Sequence, residues 1–258
     1  LIKETKIFKN PSITYIYQPI LTIIQQWLLD KDRYSKMVFN HQPKYRKNST
    51  SRIFADIWDS NWMKDKVQQL AQKGILDPKI IPVILWSDGA SPAAFSNLSV
   101  HPLVASCGSD PLEFRETEMG KSLVGYIPSL NRISPYKSKI HLFRLHIFHQ
   151  CINIIIQDLK QVEASGLFFQ VPNDSEEGLR YQRFFPLLCC YLGDIPEQKK
   201  VVCSYSGGND KLHKHPCWKC MIPGNEINSI NSPKQIWTRE DTIKRFNKLK
   251  QCSTNEEY

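Results

Sequence analysis

The tightest constraint on this chain is the run IPVILW, Ile81–Trp86, in which every position is apolar or proline and which ends at once on Ser87 and a bare acid, Asp88. So short an apolar run bounded by turn residues reads as a core strand. A buried strand has no use for a carboxylate at its tip, because taking a charge out of water is costly unless something pairs with it. A second run of the same design, FFPLLCCYL at Phe184–Leu192, ends on Asp194. One aspartate after a strand commonly caps a turn or a helix start. Two of them have a further use: if the strands are sheet neighbours, the carboxylates meet at one edge, where a divalent cation would relieve their repulsion.

The segments around these runs suggest an order. LSVHPLVASC and KSLVGYIP read as two more strands, joined by links rich in Gly, Pro, Ser and Asp, so that the first three strands form an antiparallel meander. A long helix is expected over Lys139–Ala164, with Leu145, Phe148, Ile152, Ile155, Leu159 and Val162 on one face. His146, Gln150, Asn153, Gln157 and Lys160 form the opposite stripe. GLFFQV then forms a hairpin with the second acid-tipped strand across the turn PNDSEEG. Strand, strand, strand, helix, strand, with acids closing the first and fourth strands, predicts an α/β fold with a ribonuclease H-like mixed sheet. In such sheets paired acids hold two divalent ions for phosphoryl transfer.

Ahead of this core the first eighty residues read as helical. Ile20, Ile24, Trp27 and Leu28 share a face, and Gly74 stands where a helix would stop. The expected organisation is a basic helical region at 1–78, a partial catalytic core at 79–200, and a small metal-bound extension opening a helical insertion at 201–258. Residues 1–80 carry a net charge of +7, whereas 81–136 carry −2. A basic flank beside an acidic centre suits a polyanion on one surface and cations in another site, although a modest charge excess is also what a solvated lysine-rich surface shows. Opening on Leu1 rather than methionine, the chain is expected to be a fragment, and no apolar run is long enough to span a bilayer.

Of the eight cysteines, Cys107, Cys151, Cys189 and Cys190 sit in apolar segments, where a thiol packs as a small hydrophobe. A different pattern follows Asp194: Cys203, His213, His215, Cys217 and Cys220, the last two as C-x-x-C. Two thiolates at that spacing can grip one tetrahedral ion, so zinc is expected on Cys203, Cys217, Cys220 and one of the two histidines. Unliganded cysteines or a redox pair are the alternatives. His141, His146 and His149 are not spaced to share a metal and read as structural.

Taken in order, RIFADIWDSNWM, IIPVILWSDGASPAAFSN, HPLVASCG, KSLVGYIPSL and FPLLCCYLGDIPEQKKVVC followed by CWKC resemble the transposases of Plavaka-type elements. These form the fungal group also called KDZ, relatives of the CACTA elements. The Asp-x-Pro-Glu-Gln stretch before the cysteine pair is the most specific of these segments. The resemblance implies a DDE-type core with Asp88 and Asp194 as the first two catalytic acids, ligands of Mg²⁺ or Mn²⁺. It implies Cys203, Cys217 and Cys220 as knuckle cysteines, DNA at transposon ends as partner, room for self-association, and a nuclear location. Gly89 and Ala90 stand where the family usually has Lys-Thr. The third acid of the triad is a glutamate expected farther downstream, and neither Glu240 nor Glu256 nor Glu257 has a matching context. Activity of these 258 residues alone is therefore in question. The rival expectations are a domesticated, zinc-containing module that grips DNA or protein without chemistry, and a nuclease of the same fold acting on RNA or hybrid duplexes.

Overall fold

The computed structural model describes residues 2–8, 13–89, 101–128, 140–173 and 178–201, with a few positions between 236 and 244. In chain order the elements are β1 (Lys3–Phe8), β2 (Ile13–Tyr17), α1 (Ile20–Leu29), α2 (Lys31–Tyr34), β3 (Lys44–Tyr45) and β4 (Arg52–Ile53), then a 3₁₀ turn at Ile57–Asp59 and α3 (Asn61–Gln72). They continue as β5 (Ile80–Ser87), β6 (Pro102–Cys107), α4 (Leu112–Arg115), a 3₁₀ turn at Glu118–Gly120, β7 (Lys121–Tyr126), α5 (Ile140–Val162), β8 (Leu167–Pro172), β9 (Leu179–Leu192) and α6 (Ile195–Val201). Two compact units result, Leu1–Asp194 and Ile195–Tyr258. In the second, the described features are local: Lys200 pairs with Glu197 on α6, and Thr238 and Asp241 cap each other, which holds the Asp241 carboxyl below its usual range.

The first unit is α/β, with a seven-stranded sheet in the order β1-β2-β7-β6-β5-β9-β8. β5, β6 and β7 form the expected antiparallel meander, and β9 lies beside β5 and parallel to it. β8 and β9 pair antiparallel, again as expected. The first eighty residues correct the helical reading. α1, α2 and α3 are helices, but Lys3–Phe8 and Ile13–Tyr17 form a hairpin, and Tyr17 pairs with Gly125 to extend the main sheet. The alternation of Ile13, Tyr15 and Tyr17, all buried, is the period of a strand. A Cβ on Gly125 would come within 2.6 Å of the Ile16 carbonyl oxygen, so glycine lets β2 close on β7.

Register assigns residues to faces, because paired strand positions share a side. Ile80, Phe185 and Leu187 meet Met63 and Leu70 of α3 on one face. α3 stops where Gly74 adopts φ +80°, with Gly74 N–H donating to Ala71 O and Ile75 N–H to Leu70 O. This is the Schellman arrangement, and Ile75 packs against the cluster that holds Leu70. α1 and α5 contact each other and take the opposite face. There Trp27 Nε1 donates to Ser122 Oγ at 2.8 Å, and Phe148 of α5 meets Tyr191 of β9. Phe148, Ile152, Ile155 and Leu159 are buried as their spacing predicts, while His146, Asn153, Gln157 and Lys160 are exposed. β8 ends the sheet, and its backbone at Gln170 is met by a side chain. Gln25 Nε2 donates to Gln170 O at 2.7 Å, and Gln170 N–H donates to Gln25 Oε1. A helix residue thus satisfies backbone groups that an edge strand would otherwise present.

Candidate active site

β5 and β9 begin in simple register, Ile80 opposite Phe185 and Val83 opposite Leu188. The next pair is Ile84 with Cys190, so Cys189 is an extra residue bulged out of β9. From there Trp86 faces Leu192, where the pairing ends, and the same register extended two residues past the strands would set Asp88 opposite Asp194. Without the bulge Asp194 would fall beside Gly89. The two thiols at the bulge interact: a hydrogen bond from Cys189 holds Cys190 below the usual cysteine value and pushes Cys189 up.

Both aspartates are exposed at the strand tips and line one open cleft of about 360 Å³. Ile84, Trp86 and Leu192 give it an apolar floor, and Ser106, Arg115, Glu116 and Lys121 stand around it. The floor belongs to the α3 face of the sheet, beyond the part that α3 covers. Across the strands Ile84 pairs with Ser106 and Ser106 with Lys121, so one row runs from the acid-bearing strand to a lysine. Arg115 is nearly buried. It reaches Asp56 at 2.6 Å and Gly108 O at 3.1 Å, and it lies over the Trp58 ring. One wall of the cleft is therefore a fixed guanidinium, and the opposite strand tips carry the carboxylates.

The reverse face of the same tips is pinned. Ser87 is buried, and its hydroxyl bonds both Tyr191 OH and His101 Nε2, the latter at 3.1 Å. Phe148 packs edge-on against His101 and Tyr191. This clip joins the end of β5 to the end of β9 and to the residue before β6, immediately beneath Asp88. The sequence alone points to Asp88 and Asp194 as candidates, but it does not reveal Arg115, Ser87, His101 or Tyr191, most of whose partners lie far away along the chain.

Cys203, His213, His215, Cys217 and Cys220 lie outside the described residues, as does Ala90. Among the described residues, no group of three or more His, Cys, Asp and Glu could hold a metal ion. Three carboxylates line the cleft, Asp88, Asp194 and Glu116, but they do not gather into one metal-holding group. Hard oxygen donors of this kind suit Mg²⁺ or Mn²⁺. No helix among the described residues is long and apolar enough to cross a membrane.

The family model described as Plavaka transposase matches residues 2–257, so the chain is of the transposase class. It belongs to the Plavaka transposase family. No curated protein and no solved structure matches it.

Proposed function

We propose that the first unit is the catalytic part of a DDE-type DNA transposase on a ribonuclease H-like sheet, with Asp88 and Asp194 as two of its acids. One observation carries the reading: the bulge at Cys189 aligns two aspartates at the ends of adjacent parallel strands, in one cleft. The strand order β7-β6-β5-β9, with β9 parallel to β5, supports the ribonuclease H-like description. Asp88 and Asp194 would hold the divalent ions. When bound, these would activate a water or a DNA 3′-hydroxyl and stabilise the leaving oxygen. The chain's own contribution is orientation. The Ser87 clip fixes the tips, and Arg115 and Lys121 present positive charge to a phosphodiester entering opposite the acids. DNA is then the partner, at transposon ends in the nucleus.

Thermal unfolding with added Mn²⁺ tests the acid pair. At ten times the dissociation constant a bound ion stabilises by about 1.4 kcal/mol. That corresponds to a rise of roughly 3–6 °C in Tm for the wild type and none for Asp88→Asn. An equal rise in both proteins would remove Asp88 from the site. With no third carboxylate joined to these two among the described residues, strand cleavage by this chain is expected to be slight.

The second unit is proposed to bind one zinc through Cys203, Cys217, Cys220 and either His213 or His215. Native mass spectrometry should find one zinc per chain, lost in Cys217→Ser. A metal-free mass for freshly purified wild type would rule the knuckle out.

A further inference from the structure

From Arg33 to Ala55 the chain contains no acidic residue and six basic ones. Two of the six are engaged in the body. Arg33 makes a buried bidentate pair with Asp110. Arg52 donates to Asp59 O, to Asn61 Oδ1 and to His41 Nε2, and lies over the Phe54 ring. Lys44, Arg46 and Lys47 instead stand on the β3–β4 ribbon, where every residue from Gln42 to Ser51 is exposed.

The ribbon is built rather than loose. Lys44 pairs with Ile53 and Tyr45 with Arg52. The turn is closed by Arg46 N–H to Ser51 O at 3.0 Å and by Ser49 N–H to Arg46 O, with Asn48 at φ +58°, a conformation asparagine tolerates. Arg52 bolts its base to the 3₁₀ turn behind it. Two large aromatics remain in water on this small element, Tyr45 at 54% and Phe54 at 61% exposure. Two residues after Phe54, Asp56 grips Arg115, and Arg115 lines the acid cleft. The ribbon is therefore rooted in the wall of that cleft.

Cations interleaved with exposed aromatic rings on a rigid support form a surface for unpaired nucleic-acid strands. Phosphates meet the cations, and bases stack on rings whatever their identity. A duplex, with its bases already stacked on one another, would use only the cations. We infer that the β3–β4 ribbon holds an unpaired stretch of DNA beside the acid cleft, with Tyr45 stacking on a base and Lys44, Arg46 and Lys47 on the phosphates. The choice of DNA rests on the transposase reading above. In that reading, a strand opened at the reacting position needs something to hold its bases apart.

Binding is measured on the full chain by fluorescence anisotropy, in EDTA so that the acid pair plays no part. The probes are a labelled 15-nucleotide DNA strand, its duplex, and the RNA strand of the same sequence. Tyr45→Ala should weaken the DNA single strand by about 5- to 50-fold, Tyr45→Phe should restore it, and duplex binding should stay within about twofold. Replacing Lys44, Arg46 and Lys47 by alanine should weaken strand and duplex alike and flatten the duplex log–log salt dependence by about 2–3 units. Equal loss for strand and duplex with Tyr45→Ala, or no loss, would overturn the stacking role. Much tighter binding of the RNA strand would overturn the choice of DNA. Because no metal is present, failure here leaves the Mn²⁺ test of Asp88 untouched, and failure there leaves this result standing.

Discussion

The two ends of β5 treat acids in opposite ways. At the foot, the turn after β6 carries Asp110, completely buried and clasped by Arg33 through two bonds, at 3.1 and 2.6 Å. At the tip, Asp88 and Asp194 stand exposed just past the ends of a parallel strand pair and line one cleft with Lys121 and Arg115. The same charge is buried with its cation in one place and left at the solvent in the other. What separates the two is whether a counter-charge from the chain itself has been buried with the acid. A fastened acid belongs to the fold, whereas acids left exposed at the lip of a cleft are open to a ligand from outside.

The comparison breaks most visibly at the foot. Arg33→Met leaves Asp110 buried without its cation and should cost about 3–5 kcal/mol at neutral pH by chemical denaturation. Burial already pushes the Asp110 carboxyl up, and Arg33 pulls it back. Without Arg33 the folded-state value rises further above the unfolded one. The folded variant then takes up a proton more readily than its unfolded chain, so its deficit should shrink as pH falls from the folded value towards about 4, where the unfolded carboxyl titrates. A deficit independent of pH would mean that lost packing over Trp27 and Phe114, which the Arg33 guanidinium also covers, is the larger effect.

At the tip the effects are smaller. Ser87→Ala removes the hydroxyl shared by Tyr191 and His101 and should cost about 0.5–1.5 kcal/mol, since two half-buried polar groups lose a hydrogen bond. If the clip serves the acids, it should also lower the Mn²⁺-dependent rise in Tm, which a purely structural role would leave alone. Smallest of all, Asp88→Asn without metal should be neutral or stabilise by a few tenths of a kcal/mol, because it relieves one repulsion in solvent. A clear destabilisation would make Asp88 a fastener like Asp110 and erase the contrast.

How much of this could be read in advance follows the range of each interaction. The strands β5 and β9 and their acids were legible because an unbroken apolar run followed by an acid is a local pattern. The helix face of α5 was legible for the same reason. The β1–β2 hairpin was missed although ITYIY alternates, because the strong amphipathic pattern of α1 follows within three residues and drew the segment into its period. Arg33 and Asp110 are 77 residues apart, and Ser87 and Tyr191 are 104 apart. No short window contains either pair. The bulge has no sequence signature either: Cys189 and Cys190 look like two more apolar residues in a strand, and only the register with β5 shows that one of them is surplus.

That surplus residue gives β9 an uneven tolerance to genetic change. Swapping one side chain for another at Cys189 leaves the count of residues intact, and with it the alignment of Asp194 to Asp88. Gaining a single codon anywhere between Leu188 and Asp194 would push the acid on beside Gly89 and turn it to the other side of the sheet, whereas losing one can be absorbed by flattening the bulge, which keeps the two acids aligned. Lineages of this element should therefore drift freely in the letters of this strand and tolerate loss of its surplus residue, whereas a copy with a one-residue insertion here would be folded but disarmed.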